Sequence, residues 1–209
     1  MTRTRVKFCG LTRPGDVRLA CELGVDAVGF VLAAESSRRV QPGQLQGLRA
    51  AVSPLVEVVA LFMNAHGSEV LDAIRRLRPN LLQFHGHEND AFCRGFGLPF
   101  IKTLPMGEGA ADPVAASKRY PSALAFLLDG HGPGQAGGRG MSFDWSSMPR
   151  LDRPVFLAGG LSAANVGEAI SIARPYAVDV SSGIEASPGQ KDGEKMQQFL
   201  DEVSRADRE

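Results

Sequence analysis

Cysteine is scarce in this chain. There are three among 209 residues, an odd number without framework spacing, which excludes a disulfide scaffold and reads as reduced thiols in a cytoplasmic protein. Net charge is lacking as well. The 23 Lys and Arg balance the 23 Asp and Glu, so no overall field favours nucleic acid or an anionic membrane, and any anion site has to be local. No apolar run approaches membrane-spanning length, and the N-terminus, Met1-Thr2-Arg3-Thr4-Arg5, has no apolar signal core. What is present is a 44% hydrophobic, 22% charged composition over a length suited to one domain with a full core. The expectation is a cytoplasmic globule whose single domain spans residues 1–209.

Short β-branched and apolar runs alternate with longer helical patterns. The strand candidates are Arg5–Cys9, Asp26–Leu32, Val56–Phe62, Asn80–His85, Pro99–Thr103, Ala123–Asp129, Pro154–Gly159 and Tyr176–Ser181. Between them, Asp16–Gly24, Ser68–Arg78, Ala163–Arg174 and Asp192–Arg205 place apolar residues three and four apart. Ser162, Asp112-Pro113 and Pro42 supply helix start signals, and Gly24 and Pro79 supply stops. Eight strand–helix units of roughly twenty-five residues imply parallel strands with right-handed crossovers, closing most economically into an α/β fold, the (β/α)8 TIM barrel. An open doubly wound sheet is the competing arrangement.

A barrel makes the strand alternation specific. Arg5, Lys7 and Cys9 should point inward while Val6 and Phe8 face the helices. On the last strand Ala177, Asp179 and Ser181 point inward. Closure sets the first and last strands side by side, so Lys7 and Asp179 are expected to pair. Gln83 and His85 share the inward face of the fourth strand, and Asp129 that of the sixth. A purely structural interior would be branched aliphatic, and unpaired polar groups there cost several kcal/mol. This interior is therefore built for function.

A free cysteine is usually just a small buried apolar residue, and that reading is kept for Cys21 and Cys93, which sit in helical patterns. Cys9 is different, being the last strand residue before Gly10, at the end where such barrels place chemistry. Lys7, two residues earlier on the same face, would favour its thiolate. Asp129 ends the sixth strand. Alone it reads equally as a cap, but opposite a strand-end thiol it reads as a general acid facing a base. Ala158-Gly159-Gly160-Leu161-Ser162 and Ser181-Ser182-Gly183-Ile184-Glu185 follow strands seven and eight, where glycine-rich loops frequently hold phosphate. Ser36-Ser37-Arg38-Arg39-Val40 follows strand two. Its arginines are either solvated or a clamp for a substrate carboxylate.

Two motifs fail. Gly132-Pro133-Gly134-Gln135-Ala136-Gly137 matches the dinucleotide glycine pattern but neither follows a strand directly nor opens a helix. It reads instead as a mobile loop over the site beside Asp129. His85-Gly86-His87 hints at a metal, but His66 and His131 lack ligand-like spacing, so no metal is expected.

Together these residues resemble the phosphoribosylanthranilate isomerases. The resemblance covers nearly the whole chain, through Lys7-Phe8-Cys9-Gly10-Leu11-Thr12, Gln83-Phe84-His85-Gly86, Gly137-Gly138-Arg139-Gly140 leading to Phe143-Asp144-Trp145, Ala158-Gly159-Gly160-Leu161, and Val178-Asp179-Val180-Ser181-Ser182-Gly183-Ile184-Glu185 with Pro188-Gly189. It implies an Amadori rearrangement of a phosphosugar in tryptophan biosynthesis, with Cys9 as general base and Asp129 as general acid. It further implies Arg38, by position, on the anthranilate carboxylate, and Gly159, Gly160, Ser181, Ser182 and Gly183 around the phosphate. No cofactor is implied, and the chain would act as a monomer or homodimer. Arg139 departs from the small hydroxyl residue usual in the family's loop.

Overall fold

The computed structural model describes residues 3–132 and 143–209. The loop reading of Gly132–Gly140, Arg139 included, lies outside the described residues from residue 133 onward. Eight parallel strands close in sequence order into a barrel: β1 (Arg5–Cys9), β2 (Ala27–Val31), β3 (Glu57–Phe62), β4 (Leu81–Phe84), β5 (Phe100–Pro105), β6 (Ala125–Asp129), β7 (Val155–Leu157) and β8 (Ala177–Val180). The helices are α1 (Pro14–Glu22), α2 (Leu45–Ala50), α3 (Gly67–Leu77), α4 (Asp90–Arg94), α5 (Pro113–Ser117), α6 (Val166–Ala173) and α7 (Gly193–Ala206). A two-stranded hairpin, β9 (Glu185–Ser187) with β10 (Gln190–Lys191), follows β8. The open sheet is thereby excluded, because β1 pairs with β8 in a register that sets Lys7 opposite Asp179.

β1 matches the sequence reading, the other strands shift by one or two residues at one or both ends, and two differences are larger. The sixth unit carries only the short 3-10 turn Trp145–Ser147 among the described residues, where the alternation calls for a helix. And α6 begins at Val166, with Asn165 rather than Ser162 in the cap position. Ser162 opens a turn instead: its carbonyl accepts from the Asn165 and Val166 amides, and its own N–H donates to the Asn165 side chain at 2.8 Å. Asp112 does cap α5, accepting from Val114 and Ala115.

The two faces of the barrel wall are packed differently. Outward residues such as Phe8, Phe30, Phe62, Phe84 and Phe100 merge with the helices into one large apolar cluster. Phe84 is its aromatic hub, with the rings of Phe62, Phe92, Phe96 and Phe100 centred 5.9–6.1 Å away. Inside, apolar contacts shrink to two small groups, Cys9, Val31, Ala33 and Leu61, and Ile101, Ala125, Leu127 and Ala158. The interior also holds the buried polar residues Lys7, Gln83, Thr103 and Asp179. Among the described residues no helix is long and apolar enough to cross a membrane.

Candidate active site

Cys9 is the last residue of β1 and Asp129 the last of β6. Both line one cavity of about 720 Å³, open to solvent, at the strand ends where barrels of this kind work. Arg38, Gly159, Gly160, Ser181 and Ser182 line it too. Seven of the eight expected site residues are thus brought together. Gly183 is not on the cavity wall; a Cβ there would collide with the Leu161 carbonyl oxygen, so its bare Cα is what lets the loops after β7 and β8 touch. Of the two arginines after β2, Arg38 faces the cavity, while Arg39 is exposed on the outer side beside Pro42 and Asp72.

Below Cys9, Lys7 Nζ lies 2.8 Å from Asp179 Oδ1, both deeply buried. Gly29 on β2 makes room for them, since a Cβ there would approach Cys9 Sγ to 2.9 Å and Lys7 Nζ to 3.0 Å. Burial pushes the Cys9 thiol above its ordinary range, and Asp179 adds to this, against a downward pull from Lys7 and Lys191. Lys7 therefore acts in the direction expected of it, yet desolvation of the thiolate outweighs it. Cys9 thus rests as the thiol.

On the other side, burial would raise Asp129, but His131 first and His85 second hold it below the usual carboxylate value. His131 Nδ1 is 3.3 Å from Asp129 Oδ1, within ion-pair range but misaligned for a hydrogen bond. The His131 ring stacks on His85 with centroids 4.4 Å apart. Burial, and then the charge that His131 carries when protonated, push His85 down to about 3. Among the described residues neither ring nitrogen of His85 meets a partner. His85, Asp129 and His131 each offer an atom within 4.8 Å of the others, a set able to hold a metal ion. The pair suggested by the His85-Gly86-His87 spacing is replaced by His85 with His131, because His87 is exposed.

Sequence reasoning also missed the support beneath Arg38. Its Nε and Nη2 donate to the two carboxylate oxygens of Glu185 at 2.8 and 2.7 Å. Lys191 Nζ donates to Glu185 Oε1 and to the Ser181 carbonyl, each at 2.9 Å. Burial pushes Glu185 upward, but Arg38 and Lys191 more than offset it and keep the carboxylate ionised. The one available signal was Pro188-Gly189 between Glu185 and Lys191, a turn pair that marks a hairpin. A charged strand pair across it has to meet something.

A family model for N-(5'-phosphoribosyl)anthranilate isomerase matches residues 6–202. The chain belongs to the phosphoribosylanthranilate isomerase family. Within the family, the isomerase of Xanthomonas campestris is 54% identical over 98% of this chain and 95% of its own length. The crystal structure of the Thermotoga maritima isomerase superposes with a TM-score of 0.85 at 35% identity, covering 97% of this chain and 99% of that one. A family structure in complex with reduced 1-(o-carboxyphenylamino)-1-deoxyribulose 5-phosphate gives 0.83 at 33% identity, covering the same shares. One T. maritima structure is described as a monomer of a dimeric isomerase.

Proposed function

We infer that this chain converts N-(5-phosphoribosyl)anthranilate to 1-(2-carboxyphenylamino)-1-deoxyribulose 5-phosphate, an aldose–ketose isomerisation by Amadori rearrangement in tryptophan biosynthesis. Family membership carries the reaction; the observation that supports the mechanism is a thiol and a carboxyl at the ends of β1 and β6 on one cavity. Asp129, protonated, gives its proton to the furanose ring oxygen, and the ring opens to an iminium as the aryl nitrogen donates its lone pair. The resting carboxyl is held in its ionised form, so it takes up a proton through the open cavity before it acts. The iminium charge favours release of the Cys9 thiol proton to solvent through the open cavity, against the burial that opposes it, and the thiolate then takes the proton from the sugar C2. The resulting enolamine tautomerises to the ketone.

The ends of the substrate are held by complementary chemistry. Glu185 uses two of the five N–H donors of Arg38 and leaves three for the anthranilate carboxylate. Gly159, Gly160, Ser181 and Ser182 offer amides and hydroxyls to the phosphate, and Gly183 lets the loops that carry them meet. No step calls for a redox cofactor. The working unit is a monomer or homodimer in the cytoplasm. The test is loss of the substrate's anthranilate fluorescence when the substrate is generated in situ: an enzyme-dependent decay, abolished in Cys9→Ser, is expected, and no decay with folded protein would overturn the assignment.

A further inference from the structure

The catalytic scheme leaves half-buried His85 idle, and among the described residues its two buried ring nitrogens have no partner at the rim of the cavity. A buried polar group without a partner is costly, and a ligand that supplied one would relieve that cost. Beside it stand a second imidazole and a carboxylate. We propose that His85, His131 and Asp129 form a site for a borderline divalent transition-metal ion such as Zn²⁺ or Co²⁺, and that its occupation silences the isomerase by withdrawing Asp129 from the substrate.

The donor chemistry is selective. Two imidazoles and one carboxylate suit zinc, cobalt and nickel, and leave a fourth position open to water. Mg²⁺ and Ca²⁺ want oxygen ligands in larger number. The donors come from strand ends fixed by the barrel: His85 directly follows β4, and Asp129 closes β6 two residues before His131. Their candidate atoms lie within 4.8 Å of one another. A tetrahedral ion with bonds of about 2.1 Å spaces its donors about 3.4 Å apart, so the set has to close somewhat. The two histidine rings, already stacked at 4.4 Å, can do this by side-chain rotation.

The cobalt-binding half of this proposal stands without the isomerase assignment; only the inhibition half rests on it. The purified protein is titrated with Co²⁺ and followed by visible absorption. One ion per chain with bands of low coordination number is expected, displaced by Zn²⁺ and indifferent to Mg²⁺. His131→Gln and, independently, Asp129→Asn should each weaken binding by tenfold or more, a loss of about the size that even outer ligand supports give. Cys9→Ser, His66→Gln and His87→Gln should leave affinity unchanged. Absence of bands, affinity retained in both site variants, or affinity lost with Cys9 would overturn the site. In the fluorescence assay Zn²⁺ should stop turnover and a chelator restore it; turnover that persists with the cobalt bands present would overturn the inhibition.

Discussion

The two sides of the barrel wall follow different rules. Outside, between strands and helices, one apolar cluster runs from Phe8 through Phe84 to Phe199 with aromatic rings in mutual contact. Inside, apolar residues form two small groups beside ions and amides: Lys7 with Asp179, and Gln83 donating to Thr103 at 3.3 Å. The difference separates two jobs. The outer face supplies most of the burial that holds the fold. The inner face spends burial on fixing charges, because a charge fixed in low dielectric reorganises little when a substrate arrives.

Mutations on each face should break this division in different ways. The largest effect belongs to the reacting groups: Cys9→Ser and Asp129→Asn should each lower turnover by about 10²- to 10⁴-fold, with thermal unfolding nearly unchanged. Parallel loss of folding would instead make them core residues. Next comes the outer hub. Phe84→Ala should cost about 3–5 kcal/mol in urea unfolding, while the protein that remains folded keeps near-normal turnover. Lys7→Met should cost a similar amount, about 3–5 kcal/mol, by leaving Asp179 buried without its cation, but it should also depress turnover, since Lys7 adjoins Cys9. A stability loss without an activity loss there would erase the contrast between the faces.

Smaller effects sharpen it. Glu185 sits below its ordinary value of 4.5 because Arg38 and Lys191 outweigh its burial. A depressed carboxylate contributes stability that is present above the unfolded value and is lost as pH falls through the folded one. Urea midpoints measured from pH 6 downward should therefore fall more steeply below about pH 4.5 for the wild type than for Glu185→Gln. Equal slopes would remove Glu185 from the acid limb. The smallest effect is expected at Leu55, fully exposed with a φ of +70°. Leu55→Asn suits that left-handed backbone and should change stability by less than about 0.5 kcal/mol, with unaltered turnover.

Much of this was legible in the chain. The period-two alternation placed Lys7, Cys9, Gln83, Asp129 and Asp179 on one face, and closure of the first strand on the last then predicted the Lys7–Asp179 pair. Asp112 announced its helix. The reading failed where partners are remote and no local pattern links them. Glu185 grips Arg38 across 147 positions, and His131, in a loop after β6, reaches the His85 ring only because β4 and β6 end at the same rim of the barrel. Asn165 displaced Ser162 as the start of α6 because the loop after β7 uses Ser162 for its own turn.

The sequence by itself determined the barrel, the face on which each strand residue sits, and the pair of strand ends that carry thiol and carboxyl, because alternation and strand–helix order are local properties of the chain. Only the tertiary structure decided the protonation states. Cys9 rests as a thiol although Lys7 stands two residues away, and Asp129 is held low by an imidazole. Such balances depend on how completely water is excluded and on which charges meet across the fold, and neither quantity is written in the spacing of residues.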